Sequence, residues 1–582
     1  MSILKPLYRL KKYLVHYKRD LAIGFVLIVV SNILYAILPK ILQVMIDMIN
    51  QDVSLKKLAF YVILLVLVTA IYSVIRFLMR KIVVGVSRKV DYQLRSDYFQ
   101  HLQRLSLRFF VNNRTGDLMA RATNDIQAVS MTLGMGAMFT VSNSIIFAFV
   151  VTLMLVTNVK LTLLSLIPFP FILVLMYFSF GYFYKTYEKV QEQFASLTTK
   201  AQENISGIRV IKAYVQEENE IDQFSGLNTV YLKQNLKLAK ARGLMWSSME
   251  ILFGFAFVIL LWFGGKAAIN AQLKLGALVA FTVWLGMLAW PMISLGWVLN
   301  LIQRASASMN RLNKIMDTEP LIKDMECTDR SIKSIQGEIE FKNVSFSYDG
   351  KPILSNINLV IKPGMTLAII GPTGSGKTTL VNLIPRLIDA SQGEVLIDGN
   401  DVRCIPVKLL RKNIGFVPQE TFLFSETIEE NISFGVENAR PKEVKWAANI
   451  STIASDLENF PEKYQTLIGE RGVNLSGGQK QRTAISRALL RKPKILILDD
   501  ALSAVDTYTE EKILKSLMES YYNQSTILIS HRVSTLKHAD LIIVLDEGKI
   551  IEQGTHYELV NLGGFYSDLH QQQLLEAALE EL

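Results

Sequence analysis

The residues best suited to chemistry lie in two separated runs of the 582-residue chain. In GPTGSGKT, Gly371 to Thr378, an apolar run (TLAII) leads into a glycine-rich turn and then into TTLVNLIPRLI. A strand, a glycine turn and a helix in that order let backbone N–H groups wrap phosphate oxygens, and the helix N-terminus adds a favourable dipole. Lys377 can neutralise the outer phosphates and Thr378 can ligate Mg²⁺. Nucleotide contacts are therefore expected from Gly371, Pro372, Thr373, Gly374, Ser375, Gly376, Lys377, Thr378 and Thr379. The second run is ILILDD, Ile495 to Asp500, whose aliphatic residues suit a buried strand. Such a strand would deliver Asp499 to the same metal through water, leaving Asp500 as a second carboxylate beside it.

The elements that must position these groups alternate short β-rich runs, such as EIEFKNVSFSY and TLAII, with helical stretches from about residue 337 onward. That pattern predicts an α/β domain with a partly parallel sheet over residues 337–582. The first half reads differently. Half of all residues are hydrophobic, mean hydropathy is +0.27 and only 20% are charged, which points to a membrane portion. Apolar spans beginning near Leu21, Leu58, Met131, Leu161, Met245 and Gly276 predict six membrane helices within residues 1–315, followed by a polar linker over 316–336. The segments from Lys81 to Ser130 and from Tyr184 to Leu244 are long and rich in Lys and Arg, so they and both chain ends are assigned to the cytoplasmic side. Helical periodicity continues through these segments, with chain reversals expected around Arg114–Ile126, where Gly116 would break the helix and Asp117 cap the next, and around Gly207–Glu220. The basic and apolar N-terminus, up to Asp20, is expected to lie along the inner membrane surface. Net charge is +10, but the basic residues gather beside apolar spans, as they do against anionic lipid, and nucleic acid is excluded as a partner. Cys327 and Cys404 are far apart in cytoplasmic regions and are expected to be free thiols, forming neither a disulfide nor a metal site.

Between the two runs lies VNLSGGQKQR, Val473 to Arg482, followed by ISRALLRKP. This sequence resembles the signature motif of ABC ATPases, and nearly the whole chain is similar to an ABC exporter half-transporter: a six-helix transmembrane domain followed by an ABC-type P-loop nucleotide-binding domain. The resemblance implies ATP and Mg²⁺ as cofactors and assigns roles by position. Tyr348 would stack on adenine. Gln419, in GFVPQE, would sense Mg²⁺ and the attacking water, and His531, in ILISHR, would contact the γ-phosphate. Ser476, Gly477, Gly478 and Gln479 would reach the nucleotide held by a second subunit, Ser503 to Asp506 would link the two sites, and Thr466 to Gly472 together with the two reversals would couple ATP to the membrane.

One residue departs from the family. The position after the metal-binding aspartate is normally glutamate, and Asp500 withdraws the carboxylate by roughly one C–C bond, about 1.5 Å. A displacement of about 1 Å in a catalytic group can cost on the order of 100-fold in rate. The departure resembles the degenerate-site subunit of heterodimeric multidrug exporters. The expectation is export of small hydrophobic or amphipathic compounds across a bacterial cytoplasmic membrane by a heterodimer, with ATP retained at this chain's own site. The alternatives are a homodimeric lipid flippase with a working Asp500 and a nucleotide-gated regulatory membrane subunit. Arg76 and Glu250 fall in or beside apolar spans, where ionisable groups are costly and often functional.

Overall fold

The computed structural model describes residues 2–49, 54–348, 350–469, 475–520 and 524–580. The chain divides into two compact units, one of residues 1–103 and 114–318, the other of residues 104–113 and 319–582.

Among the described residues the first unit holds six helices long and apolar enough to cross a membrane: α1 (Leu4–Ile49), α2 (Leu55–Leu102), α3 (Thr115–Thr157), α4 (Val159–Ser206), α5 (Glu217–Ile269) and α6 (Leu275–Met316). At about 1.5 Å per residue these helices run to 60–80 Å, well beyond a hydrocarbon core of about 30 Å, so each continues into a long extension. Their packed interior centres on α6, where Phe281, Trp284, Leu285 and Leu288 are fully buried. The Trp284 indole N–H donates to the Ala36 carbonyl of α1 at 3.0 Å, satisfying a polar group that burial would otherwise penalise. Large side chains such as Phe60, Ile63, Val66 and Leu67 of α2 face outward, the arrangement a helix in lipid adopts. Two wide turns interrupt α3, at Arg121–Asp125 and Thr132–Gly136. The first carries Asp125, whose carboxylate accepts from Ser308 Oγ at 2.8 Å and Arg311 Nε at 2.9 Å on α6.

The N-terminal segment packs on its own unit. Leu10 and Tyr13 are buried, the Tyr13 hydroxyl donates to Asp97 at 2.8 Å, and the Pro6 carbonyl accepts from Asn313 at 3.1 Å.

One reversal differs from expectation. The chain turns at a short helix, Leu107–Asn112, bounded by extended Ser106 and Asn113, so it lies upstream of Arg114. Gly116 and Asp117 fall in the first turn of α3, with no side-chain cap from the preceding Arg114. Extended backbone at Asn113 and Arg114 ends the reversal, and an exposed glycine in a helical turn does not break it. The second reversal is the helix Ile208–Ala213, within the expected segment.

In the second unit a four-stranded antiparallel sheet runs β2 (Lys351–Ile361), β1 (Ile339–Tyr348), β4 (Gln392–Ile397), β5 (Asn400–Asp401). A six-stranded sheet runs β10 (Lys549–Gly554), β9 (Leu541–Asp546), β3 (Thr366–Ile370), β8 (Ser525–Ile529), β7 (Ile495–Asp499), β6 (Ile414–Val417), parallel throughout except for β10. The central strands β3 and β7 are buried on both faces, which is why TLAII and ILILD read as continuous aliphatic runs.

Cys327 and Cys404 correct the sequence expectation, because the structure joins them in a disulfide with Cα atoms 5.0 Å apart. Their separation of 77 residues concealed the pairing: the Cys404 carbonyl accepts from Asp329 N–H at 2.8 Å, a bond that brings the strand-following loop back against the segment after α6.

Candidate functional site

Both carboxylates, the lysine and the threonine converge at the carboxyl ends of β3 and β7, where open α/β sheets bind ligands. After β3 the chain enters α7 (Lys377–Leu383) through Gly376, whose φ of 102° and whose closeness to Leu354 (2.8 Å from a built Cβ) admit no side chain. A cavity of about 260 Å³ opens there, lined by Tyr348, Thr373, Gly374, Gly376, Lys377, Thr378, Thr379, Gln419, Asp499, Asp500 and His531. Gly371, Pro372 and Ser375 belong to the same loop without lining the cavity. The Lys377 ammonium donates to the Gly371 and Pro372 carbonyls, each at 2.8 Å, and lies across the loop. Burial lowers the Lys377 pKa, opposed by the negative charges of Asp499 and Asp500.

Asp499 is 1% exposed and its Oδ2 has no hydrogen-bond partner among the described residues. Burial raises its pKa, with Asp500 adding repulsion, while a hydrogen bond with Thr378 and the charge of Lys377 act against the rise. A buried carboxylate with a free oxygen beside a threonine hydroxyl is a donor set that suits a hard cation such as Mg²⁺. Asp500 adopts a left-handed φ of 50°, its N–H donating to the Ile529 carbonyl at 3.0 Å and its carbonyl accepting from Ser503 Oγ at 2.9 Å. Tyr348 ends β1 with its ring edge-on to Phe346 at 4.7 Å, leaving it 40% exposed.

The signature residues are elsewhere. None of Ser476, Gly477, Gly478 and Gln479 lines this cavity. Ser476 instead caps helix α8 (Gly477–Leu490) in a reciprocal box with Gln479, and the Gln479 amide donates to Asp456 at 2.9 Å. A Cβ built on Gly478 would lie 2.8 Å from the Ala504 carbonyl, so α8 meets the segment after β7 almost backbone to backbone. Val473, Asn474 and the end of the Thr466–Gly472 segment lie outside the described residues.

Sequence reading overlooked Gln481. From α8 its amide accepts from Ala504 N–H at 2.9 Å and donates to Ser503 Oγ at 3.0 Å, holding the Ser503–Asp506 loop. The available signal was a polar residue on the inward face of an otherwise apolar helix stripe, three residues after Gly478.

In the helical unit, a cavity of about 300 Å³ is lined by Asn32, Tyr35, Tyr72, Arg76, Ser142, Asn143 and Trp290, among others. Tyr35 stacks on Tyr72 at 5.3 Å, and Arg76 donates to the Tyr72 hydroxyl at 2.9 Å. A more apolar cavity of about 400 Å³, bordered by Phe147, Met292, Leu295 and Val298, shares Asn143 and Pro291 with it. Glu250 is exposed on α5 and lines neither.

A bundle of six membrane-length helices fused to a P-loop domain with a metal-suited aspartate defines a membrane-bound ATPase. Residues 21–292 match the family model "ABC transporter transmembrane region" and residues 354–503 match "ABC transporter". The chain is 37% identical to the probable multidrug resistance ABC transporter ATP-binding/permease protein YheI of Bacillus subtilis, over 100% of this chain and 99% of that protein. It is 34% identical to the multidrug resistance-like ATP-binding protein MdlA of Escherichia coli, over 95% and 94% of the two chains. It is also 36% identical to an ATP-dependent lipid A-core flippase of Syntrophus aciditrophicus, over 85% and 82%. The solved structure of a bacterial Atm1-family ABC exporter with ATP bound superposes with a TM-score of 0.79 at 26% identity, covering 95% of this chain and 99% of that one. The chain belongs to the ABC transporters: it is a multi-pass membrane protein of exporter fold that couples ATP hydrolysis to export.

Proposed function

We propose that this chain is one half of an ABC exporter for hydrophobic and amphipathic compounds, paired with a second, non-identical half-transporter in the cytoplasmic membrane, and that its own ATP site is the slow one. The observation that carries the reading is Asp500 in the phosphate cavity, beside Asp499 and across from His531, where a longer carboxylate would reach further toward an attacking water. In this reading Gly371–Thr379 and Tyr348 hold ATP, and Thr378, Asp499 and Gln419 hold Mg²⁺, which neutralises charge on the phosphates. His531 meets the γ-phosphate. Ser476 to Gln479, pre-arranged by the capping box, complete the partner's site with the Ser476 hydroxyl and the Gly477 and Gly478 N–H groups at the start of α8. ATP contacts made only in the closed pair supply the differential affinity that drives alternating access, relayed through the helices Leu107–Asn112 and Ile208–Ala213.

The adjoining polar and apolar cavities suit an amphipathic substrate, with Arg76 and the Tyr35–Tyr72 pair at the polar end. Replacing Arg76 by Leu is expected to reduce transport of amphiphiles bearing acidic or hydrogen-bond-accepting groups about tenfold, a large interaction being lost in a low-dielectric site. Uptake of such compounds into inside-out vesicles measures it.

A homodimeric lipid flippase is the second reading. Similarity to lipid A-core flippases favours it, as does the left-handed backbone at Asp500, which aspartate tolerates better than longer side chains and which gives the residue a local structural reason. ATP turnover in liposomes, with and without a co-expressed second half-transporter, separates the two. Turnover near background from this chain alone, restored by a partner and little changed by Asp500→Asn, is expected. Full turnover from the lone chain that Asp500→Asn removes would establish the homodimer.

A further inference from the structure

The loop that carries His531 is held from outside the catalytic segments. His531 follows Ser530 at the end of β8 and precedes a short helix, Val533–Leu536, whose first N–H groups have no partner within the helix. One side chain spans the loop: Gln573, on the C-terminal helix α9 (Phe565–Glu580). Its Nε2 donates to the His531 carbonyl at 2.7 Å, and its Oε1 accepts from the Val533 N–H at 2.8 Å. The same primary amide thus satisfies an acceptor and a donor two residues apart, which fixes both the path of the loop and the direction in which the His531 side chain leaves it. The intervening Arg532 N–H donates to Ser530 Oγ at 3.0 Å, and the Arg532 guanidinium donates to the Val505 carbonyl at 3.1 Å and to Glu510 at 2.6 Å. Together these side chains anchor the backbone from Ser530 to Val533.

The helix that presents Gln573 is itself anchored. At its first turn the Glu552 carboxylate of β10 accepts from the Phe565 N–H at 2.5 Å and the Tyr566 N–H at 3.1 Å, favourable for an anion at a helix N-terminus. Tyr566 is fully buried, with its hydroxyl 2.8 Å from His556 Nδ1. Tyr566, Leu569 and Gln573 follow i, i+3, i+7 spacing, so the face that roots the helix in the core also carries the amide to the loop.

We propose that Gln573 is a positioning residue for His531, and that the C-terminal helix is therefore part of the apparatus by which this chain's ATP site recognises the γ-phosphate. The proposal rests on the reading above that His531 meets that phosphate. Because it concerns recognition of ATP against ADP, it holds whether or not the Asp500 site turns over rapidly.

The test uses the full-length chain, together with its partner where one is needed for folding, and measures Mg·ATP and Mg·ADP affinity at this chain's site by displacement of a photo-crosslinking adenine nucleotide. Gln573→Ala is expected to weaken ATP about five- to tenfold, the worth of one or two hydrogen bonds to a functional loop, while leaving ADP within about twofold. The double variant with His531→Ala should be no weaker for ATP than His531→Ala alone, since one residue acts through the other. Gln573→Glu keeps the acceptor for Val533 N–H but sets a carboxylate against the His531 carbonyl. It should reproduce the loss of ATP preference with the fold intact, so the proposal stays testable if the alanine variant misfolds. Equal losses of ATP and ADP, or independent, multiplying effects of the two substitutions, would overturn the positioning role. A His531→Ala variant with unchanged ATP preference would instead overturn the assignment of His531 on which it rests.

Discussion

At the scale of single residues, Asp499 shows how a site can be arranged for a ligand at the expense of the empty fold. Its carboxyl is buried, raised in pKa and, among the described residues, lacks a partner for one oxygen. A folded pKa above the unfolded value favours the protonated form, so the group's contribution to stability is present below the ordinary carboxylate value and is lost as pH rises through the folded one. At neutral pH the charged group is a net cost. Asp499→Asn is therefore expected to raise the nucleotide-free melting temperature at pH 7 and to leave it unchanged near pH 3, while removing the Mg²⁺-dependent stabilisation by ATP. Thermal unfolding with ATP and EDTA or ATP and Mg²⁺ checks both. Gly478 makes the opposite case, a residue constrained by what it touches. A Cβ there meets the Ala504 carbonyl at 2.8 Å, so Gly478→Ala should displace the loop after β7 at a cost of about 1–3 kcal/mol in overpacking, read as a lower midpoint in denaturant titration.

At the scale of elements, the coupling between α8 and the loop after β7 is concentrated in one side chain. Gln481 holds the Ala504 N–H and the Ser503 hydroxyl, and Ser503 in turn holds the carbonyl of Asp500. A movement of the signature helix is thereby transmitted to the backbone that carries the second carboxylate. Gln481→Leu preserves the helix and approximate volume but leaves the Ala504 N–H unpaired. It should lower ATP turnover of the assembled transporter by about tenfold, with nucleotide affinity at the P-loop unchanged, measurable as a drop in kcat at constant KM. The membrane helices illustrate a different division. Their existence is legible from about 20 apolar residues in a row, because hydrocarbon demands that every backbone group be bonded within the segment. The place where α2 turns back was not legible. Gly116 and Asp117 look like a break followed by a cap, but the chain reverses at Leu107–Asn112, where extended Asn113 and Arg114 set the geometry and local composition carries no mark of it.

At the scale of the whole molecule, the disulfide between Cys327 and Cys404 closes a loop of 77 residues within the second unit. A closure of that length restricts the unfolded chain by about 4.5 kcal/mol in the chain-entropy account. Cys404→Ser should lower the melting temperature of protein purified without reductant, and the difference should vanish once both forms are reduced. Sequence alone determined the architecture, six apolar spans and then an α/β P-loop domain, because hydropathy, strand period and a glycine-rich phosphate loop are local properties of the chain. It also singled out Gly371–Thr379, Asp499 and Asp500 as candidates for nucleotide chemistry, with Gln419 and His531 added by the family resemblance, and most of these residues line one cavity. Only the tertiary structure decided that Cys327 meets Cys404, that Gln481 staples a loop 22 residues further along and that Gln573 holds the backbone of His531. Those contacts join positions 22 to 77 residues apart through side chains that are ordinary in type, and no local pattern distinguishes such a cysteine or glutamine until folding supplies its partner.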